Sequence, residues 1–205
     1  MYPSSNHASL ATDRILLTRM TGPQSSRAQQ LRDAAMLRRL DRGTSDRPNT
    51  ARLAAARDQV DTAAAFAIEA AGSGDLLGVS GFGAIDRREK RATFAPIWSI
   101  GQLDEAMLVS HVAHLMTRYA FEVLDVERAE LHLDWRLRHM LDLYAALGFR
   151  CEGRLRAYFA ADEGPSADAA VLSSVRSEWP SVVRRQRGVL AGETWRYRLP
   201  SDRPP

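Results

Sequence analysis

His132 and Asp134 stand two residues apart in the stretch Ala129–Asp134, and Tyr144 follows on the segment after it. An imidazole, a carboxylate and a phenol are side chains that take or give protons when held beside a reacting group. In the same stretch Ala129, Leu131 and Leu133 alternate with Glu130, His132 and Asp134. That period of two places His132 and Asp134 on one face of a strand. Two further histidines, His111 and His114, lie three apart on a helical stretch with no third ligand type nearby. They read as structural, and no metal site is expected. Cys151 is the single cysteine, which excludes an internal disulfide and reads as a reduced thiol.

The cations form a second chemical group. Lys90 is the only lysine, so almost every positive charge is a guanidinium, a fork suited to phosphates. Residues 1–60 carry net charge +5, residues 61–149 net −5 and residues 150–205 net +3. The basic flanks present Arg32, Arg38 and Arg39 on one side and Arg184, Arg185 and Arg187 on the other. These six are the candidate nucleic-acid contacts, and the acidic middle suits a cationic amine.

The elements that must position these groups follow from the apolar spacing. Leu137, Met140, Leu141, Tyr144 and Leu147 recur at helical steps, and Gly148 can take the left-handed conformation that ends a helix. Arg14–Met20 reads as a first strand, Pro23–Leu40 as a basic helix, and Ala64–Ala70 with Leu76–Ile85 as a hairpin about Gly72–Asp75. Arg91–Ile100 reads as one continuous strand and Asp104–Val123 as a helix with Leu108, Val112, Leu115, Met116 and Tyr119 inward. Strands at Leu155–Ala160 and Asp168–Val175 and a short helix at Ser181–Arg187 complete the pattern. One domain over residues 12–187 is expected, with tails at 1–11 and 188–205. No apolar run approaches a membrane span and the first residues lack a secretory pattern, so a cytoplasmic protein is expected.

The strand, amphipathic helix and Leu147-Gly148-Phe149 ending, followed by Glu152, Gly153 and Arg156, resemble the GCN5-related N-acetyltransferases. The branch most resembled is that of the ribosomal-protein alanine N-acetyltransferases. Leu77–Phe82, Thr12–Arg19 and Glu178-Trp179-Pro180 match further family segments, so the resemblance spans about residues 12–183. It implies an α+β fold, a mixed sheet whose splayed central strands are flanked by helices, with Arg91–Ile100 and Ala129–Asp134 diverging at one end. It also implies acyl transfer to an amine, with Tyr144 as the acid that protonates the leaving group. Trp98, Ile100, Gly101 and Gln102 fall at donor-binding positions. Thr93 stands where related enzymes carry a glutamate base, which leaves Asp134 and His132 as replacement candidates.

The same resemblance shows where this chain departs. Pro96, Ser99, Asp104, Leu137 and Met140 occupy positions that in the family help hold coenzyme A. Proline has no N–H to offer, and a carboxylate at a helix start takes the place of a phosphate. The expected activity is therefore N-acyl transfer with an unusual donor, acyl-tRNA being favoured. The alternatives are a conventional acetyl-CoA-dependent N-acetyltransferase and a non-catalytic module of the same fold. No tightly bound cofactor is expected; acyl-CoA or acyl-tRNA is the co-substrate, a small-molecule or peptide amine the acceptor, and tRNA a partner. Monomer and homodimer both stay open.

Overall fold

The computed structural model describes residues 10–20, 64–99, 104–161 and 164–192; of Trp98 it describes the backbone. The basic helix expected at Pro23–Leu40 lies outside the described residues, as do Arg32, Arg38 and Arg39.

Nine strands form one mixed sheet. They are β1 (Leu10–Ala11), β2 (Ile15–Met20), β3 (Ala64–Ala70), β4 (Leu76–Asp86), β5 (Arg91–Phe94), β6 (Trp98–Ser99), β7 (Arg128–Asp134), β8 (Arg150–Phe159) and β9 (Ala167–Val175). Their order is β1-β2-β3-β4-β5-β7-β9-β8, with β6 also paired to β4. All pairings are antiparallel except that of β5 with β7. Strand β3 is buried along almost its whole length, and its backbone runs close against Gly81 on β4. A Cβ there would stand 2.2 Å from the Ala64 carbonyl oxygen.

Three helices are described: α1 (Glu105–Arg118), α2 (Arg138–Ala146) and α3 (Trp179–Leu190). Asp104 caps α1 by accepting from the Met107 N–H at 3.0 Å. Leu108, Val112, Leu115 and Met116 then enter the core, each buried side chain contributing about 1.5–3 kcal/mol. The helical run expected to Val123 loosens into a π-helical turn at Tyr119–Val123. Tyr119 there packs between Phe66 and Phe82. Helix α3 passes Gly188 because Val189 reaches the core.

The strand expected over Arg91–Ile100 is interrupted. Phe94 pairs with Phe82 and Trp98 with Val79, so four steps on one side meet three on β4. The extra residue is a bulge, and it contains Pro96, which cannot donate to the ladder. Among the described residues no helix is long and apolar enough to cross a membrane.

Candidate active site

Strands β5 and β7 are paired for only three residues: Arg91 with Arg128, Ala92 with Ala129, Thr93 with Glu130. Beyond that point β5 turns with its bulge toward β4, where the Ala95 N–H donates to the Gly81 carbonyl at 2.8 Å. Strand β7 continues to Asp134 paired with β9 alone. The two parallel strands thus diverge at their C-terminal ends, and Thr93 and Glu130 mark the apex of the gap. Alternate backbone groups of β7 past Glu130 face that gap. Each strand line then leads into a helix, so the starts of α1 and α2 flank the open end. His139 Nε2 and Glu105 Oε2, 3.7 Å apart, join those two starts.

Tyr144 lies on α2, the helix that follows β7, and the residues that end this helix fix its place. Gly148 has φ 94°, its N–H donates to the Ala145 carbonyl at 3.0 Å, and the Phe149 N–H donates to the Tyr144 carbonyl at 2.9 Å. These two bonds with an apolar contact across them form a Schellman cap. The apolar contact is the Tyr144–Phe149 ring pair, edge to face at 5.4 Å. Phe149 also meets Phe94 of β5 at 6.1 Å, so an aromatic chain spans from β5 to α2. Tyr144 is 4 % exposed, and burial pushes its phenol well above the ordinary tyrosine range. Its hydroxyl has no hydrogen-bond partner among the described residues. A protonated phenol held this way can give a proton to a leaving group.

His132 and Asp134 lie on β7 beyond the apex, on the sheet face opposite the α2 core. Their environments differ. Asp134 is buried and engaged by Arg136: Nη2 donates to Oδ2 at 2.7 Å, and both the N–H and Nε of Arg136 donate to Oδ1 at 3.0 Å. That carboxylate fastens the turn between β7 and α2. His132 is instead half-buried, its Nδ1 2.7 Å from the Tyr158 hydroxyl and its Nε2 3.9 Å from Glu130 Oε1. Burial, foremost, lowers its pKa below the ordinary 6.5, so the ring is neutral near pH 7.

The network continues along β7. Arg128 Nε donates to Glu130 Oε2 at 2.7 Å, and its two terminal nitrogens donate to both oxygens of Glu152 at 2.8 and 2.6 Å. These bonds from Arg128, with one from the Ser173 hydroxyl, push the Glu152 pKa down to about 2. Thr93 donates to Glu130 Oε1 at 3.4 Å. Sequence reasoning singled out neither Tyr158 nor the Glu130–Arg128–Glu152 network. The alternation of β7 was a signal for Glu130, which shares a face with His132.

Of the residues expected to bind the donor, Trp98 lies in β6 opposite Val79, whereas Ile100, Gly101 and Gln102 lie outside the described residues. Leu137, 39 % exposed, sits at the start of α2 and supplies no side-chain cap, while Met140 is buried. Arg184, Arg185 and Arg187 are exposed on α3 and make no ion pair among the described residues. Helix α3 meets α1 through Gln186 and His114, which is about 14 Å along α1 from Glu105. His111 and His114 serve structure, their Nδ1 atoms bonded to Thr12 at 2.8 Å and Gln186 at 3.0 Å. Among the described residues no cluster of three or more His, Cys, Asp or Glu could hold a metal ion.

No protein family profile matches the sequence, and no curated protein does. Solved structures match the fold. A GCN5-related N-acetyltransferase from Brucella melitensis superposes with TM-score 0.69 at 18% identity, covering 95% of this chain and 90% of that one. The spermidine N-acetyltransferase SpeG from Vibrio cholerae, solved with CoA and spermine, gives TM-score 0.61 at 17% identity, covering 82% of this chain and 99% of that one. The same enzyme with manganese ions gives 0.58 at 17% identity, with 82% and 96% covered. The architecture of this chain is the GCN5-related N-acetyltransferase fold.

Proposed function

We propose that the protein is an N-acyltransferase that moves an acyl group from a thioester of the coenzyme A type to an amine. The observation that carries this reading is the gap past Thr93 and Glu130, where β7 pairs with β9 alone, with α2 and its buried Tyr144 following β7. Backbone N–H groups at such a gap hold the thioester carbonyl and the oxyanion formed on attack. When bound, the donor supplies an activated carbonyl and a thiolate leaving group. Tyr144 protonates that thiolate. His132, neutral and beside the apex, is better placed than Asp134 to take the amine's proton, since Asp134 is committed to Arg136.

The donor class is supported by the neighbour that carries CoA with spermine on the same architecture. The acyl-tRNA donor favoured by the charge distribution is the weaker reading. Its three described arginines lie on α3, away from the gap, and none of the neighbours above is described with RNA. The chain's departures still leave a mark on the donor site, because Asp104 spends its carboxylate on the very helix start that would face a pyrophosphate. Affinity for coenzyme A is therefore expected to be modest. The test is acyl transfer itself. Acetyl-CoA and longer acyl-CoA thioesters are incubated with a panel of primary amines, reading free thiol and amide mass, beside an acylated tRNA. Amide formation from a thioester supports the proposal; transfer from the tRNA alone reverses the choice of donor, and transfer from neither refutes catalysis.

A further inference from the structure

The end of β8 departs from regular strand geometry. Leu155 pairs with Ala169 and Phe159 with Ala167, so the strand carries extra residues between them. Ala157 within that bulge has φ 51°, a conformation that costs a non-glycine residue about 1–2 kcal/mol. Asp168 holds it there. Its Oδ1 accepts the Ala157 N–H at 2.7 Å and its Oδ2 accepts Arg154 Nε at 2.6 Å. The bulge aims Tyr158 across β9 onto His132, with the rings 4.9 Å apart. Strain kept in place by a dedicated carboxylate points to a use for the side chain it aims.

Resting on the acyl-transfer reading, we propose that Tyr158 meets the acceptor amine and relays its proton to His132, which Glu130 orients. Tyr158 is 45 % exposed, with its hydroxyl 2.7 Å from His132 Nδ1; the relay uses the tautomer in which that hydroxyl donates to Nδ1 and Nε2 carries the N–H on the Glu130 side, 3.9 Å from Oε1. In the step, the amine nitrogen forms the C–N bond as the C–S bond breaks. The departing sulfur receives the proton of Tyr144. The amine's proton goes to the Tyr158 oxygen while the hydroxyl's own hydrogen moves to Nδ1. The resulting imidazolium has Glu130 and Arg128 of β7 and Tyr158 of β8 beside it. Glu130 favours the charged ring and Arg128 opposes it, Arg128 being itself bonded to both Glu130 and Glu152. Glu130 is thus a positioning residue and Tyr158 a catalytic one.

The test compares pH–rate profiles of kcat/KM for acyl transfer from the best thioester by the wild type, Tyr158→Phe and Glu130→Gln. Tyr158→Phe is expected to lose about 10²-fold or more. Glu130→Gln is expected to shift the acidic limb to lower pH, because the charge that stabilises the imidazolium is gone. His132→Gln, expected to match the loss of Tyr158→Phe and to abolish the limb, serves as the second variant should Tyr158→Phe fail to fold. A wild-type rate in Tyr158→Phe, or in His132→Gln, overturns the relay alone. An unmoved limb in Glu130→Gln overturns the role given to Glu130. A wild type that transfers from no thioester overturns the acyl-transfer reading and the relay with it.

Discussion

At the residue scale the site turns on which protons are bound where. Tyr144 is held by packing on both sides, so removing only its oxygen leaves the Schellman cap and the aromatic chain to Phe94 intact. Tyr144→Phe is expected to melt at the wild-type temperature while turnover falls about 10²–10⁴-fold, measured as thiol release under saturating donor. The types of these residues were legible in the sequence, and their company was not. His132 and Asp134 could be assigned to one face by alternation. Nothing in the spacing showed that Arg136 would occupy the carboxylate while a tyrosine 26 residues further on would occupy the imidazole. Those pairings cross strands, and a single chain read in order does not show which long-range partners meet.

At the element scale, the legible features were those set by local chemistry. Leu147-Gly148-Phe149 ends α2 as expected, because only a residue free to take positive φ closes the cap at that point. Gly148→Ala adds both strain at φ 94° and a Cβ 3.1 Å from Val182 Cγ2. A loss of about 1–2 kcal/mol is expected in urea unfolding, with a fall in turnover because the displaced cap carries Tyr144. The illegible features were the strand irregularities around Pro96 and Ala157. Pro96 could be seen to lack an N–H, yet pairing resumes beyond it at Trp98. Ala157 carries no sequence mark of a left-handed residue; its conformation is imposed by Asp168. The start of α1 gives a test of the donor. Asp104→Asn keeps a capping oxygen and removes the charge, so CoA should bind about two- to fivefold more tightly by calorimetry. Unchanged affinity would place the pyrophosphate elsewhere.

At the scale of the whole molecule, buried histidines set the acid limit. His111, His114 and His132 are all lowered from the ordinary value of 6.5, burial being the chief cause in each. The unfolded chain therefore binds protons before the folded one as pH falls. Stability from these groups is complete above about pH 6.5 and declines below it. Glu152 and Asp168 are lowered too, Glu152 chiefly by Arg128 and Asp168 chiefly by the Ala157 N–H. Their contribution is lost only in the more acidic carboxylate range, so two separate declines are expected in urea midpoints taken from pH 8 to pH 3. His114→Gln should make the first shallower and leave the second.

The three-residue contact between β5 and β7 also divides the protein for hydrogen exchange. On one side lie the strands through β6, and on the other β7, β9 and β8, bridged by a ladder that ends at Thr93 and Glu130. A sheet so narrowly stitched has a natural tear line, and the two halves can loosen to different depths. Deuterium uptake should therefore fall into two levels of protection that meet at this stitch. A ligand lying in the gap would act as a suture: amides on both margins would slow together, while those of β1 and of the outer edge of β8 would keep their rates.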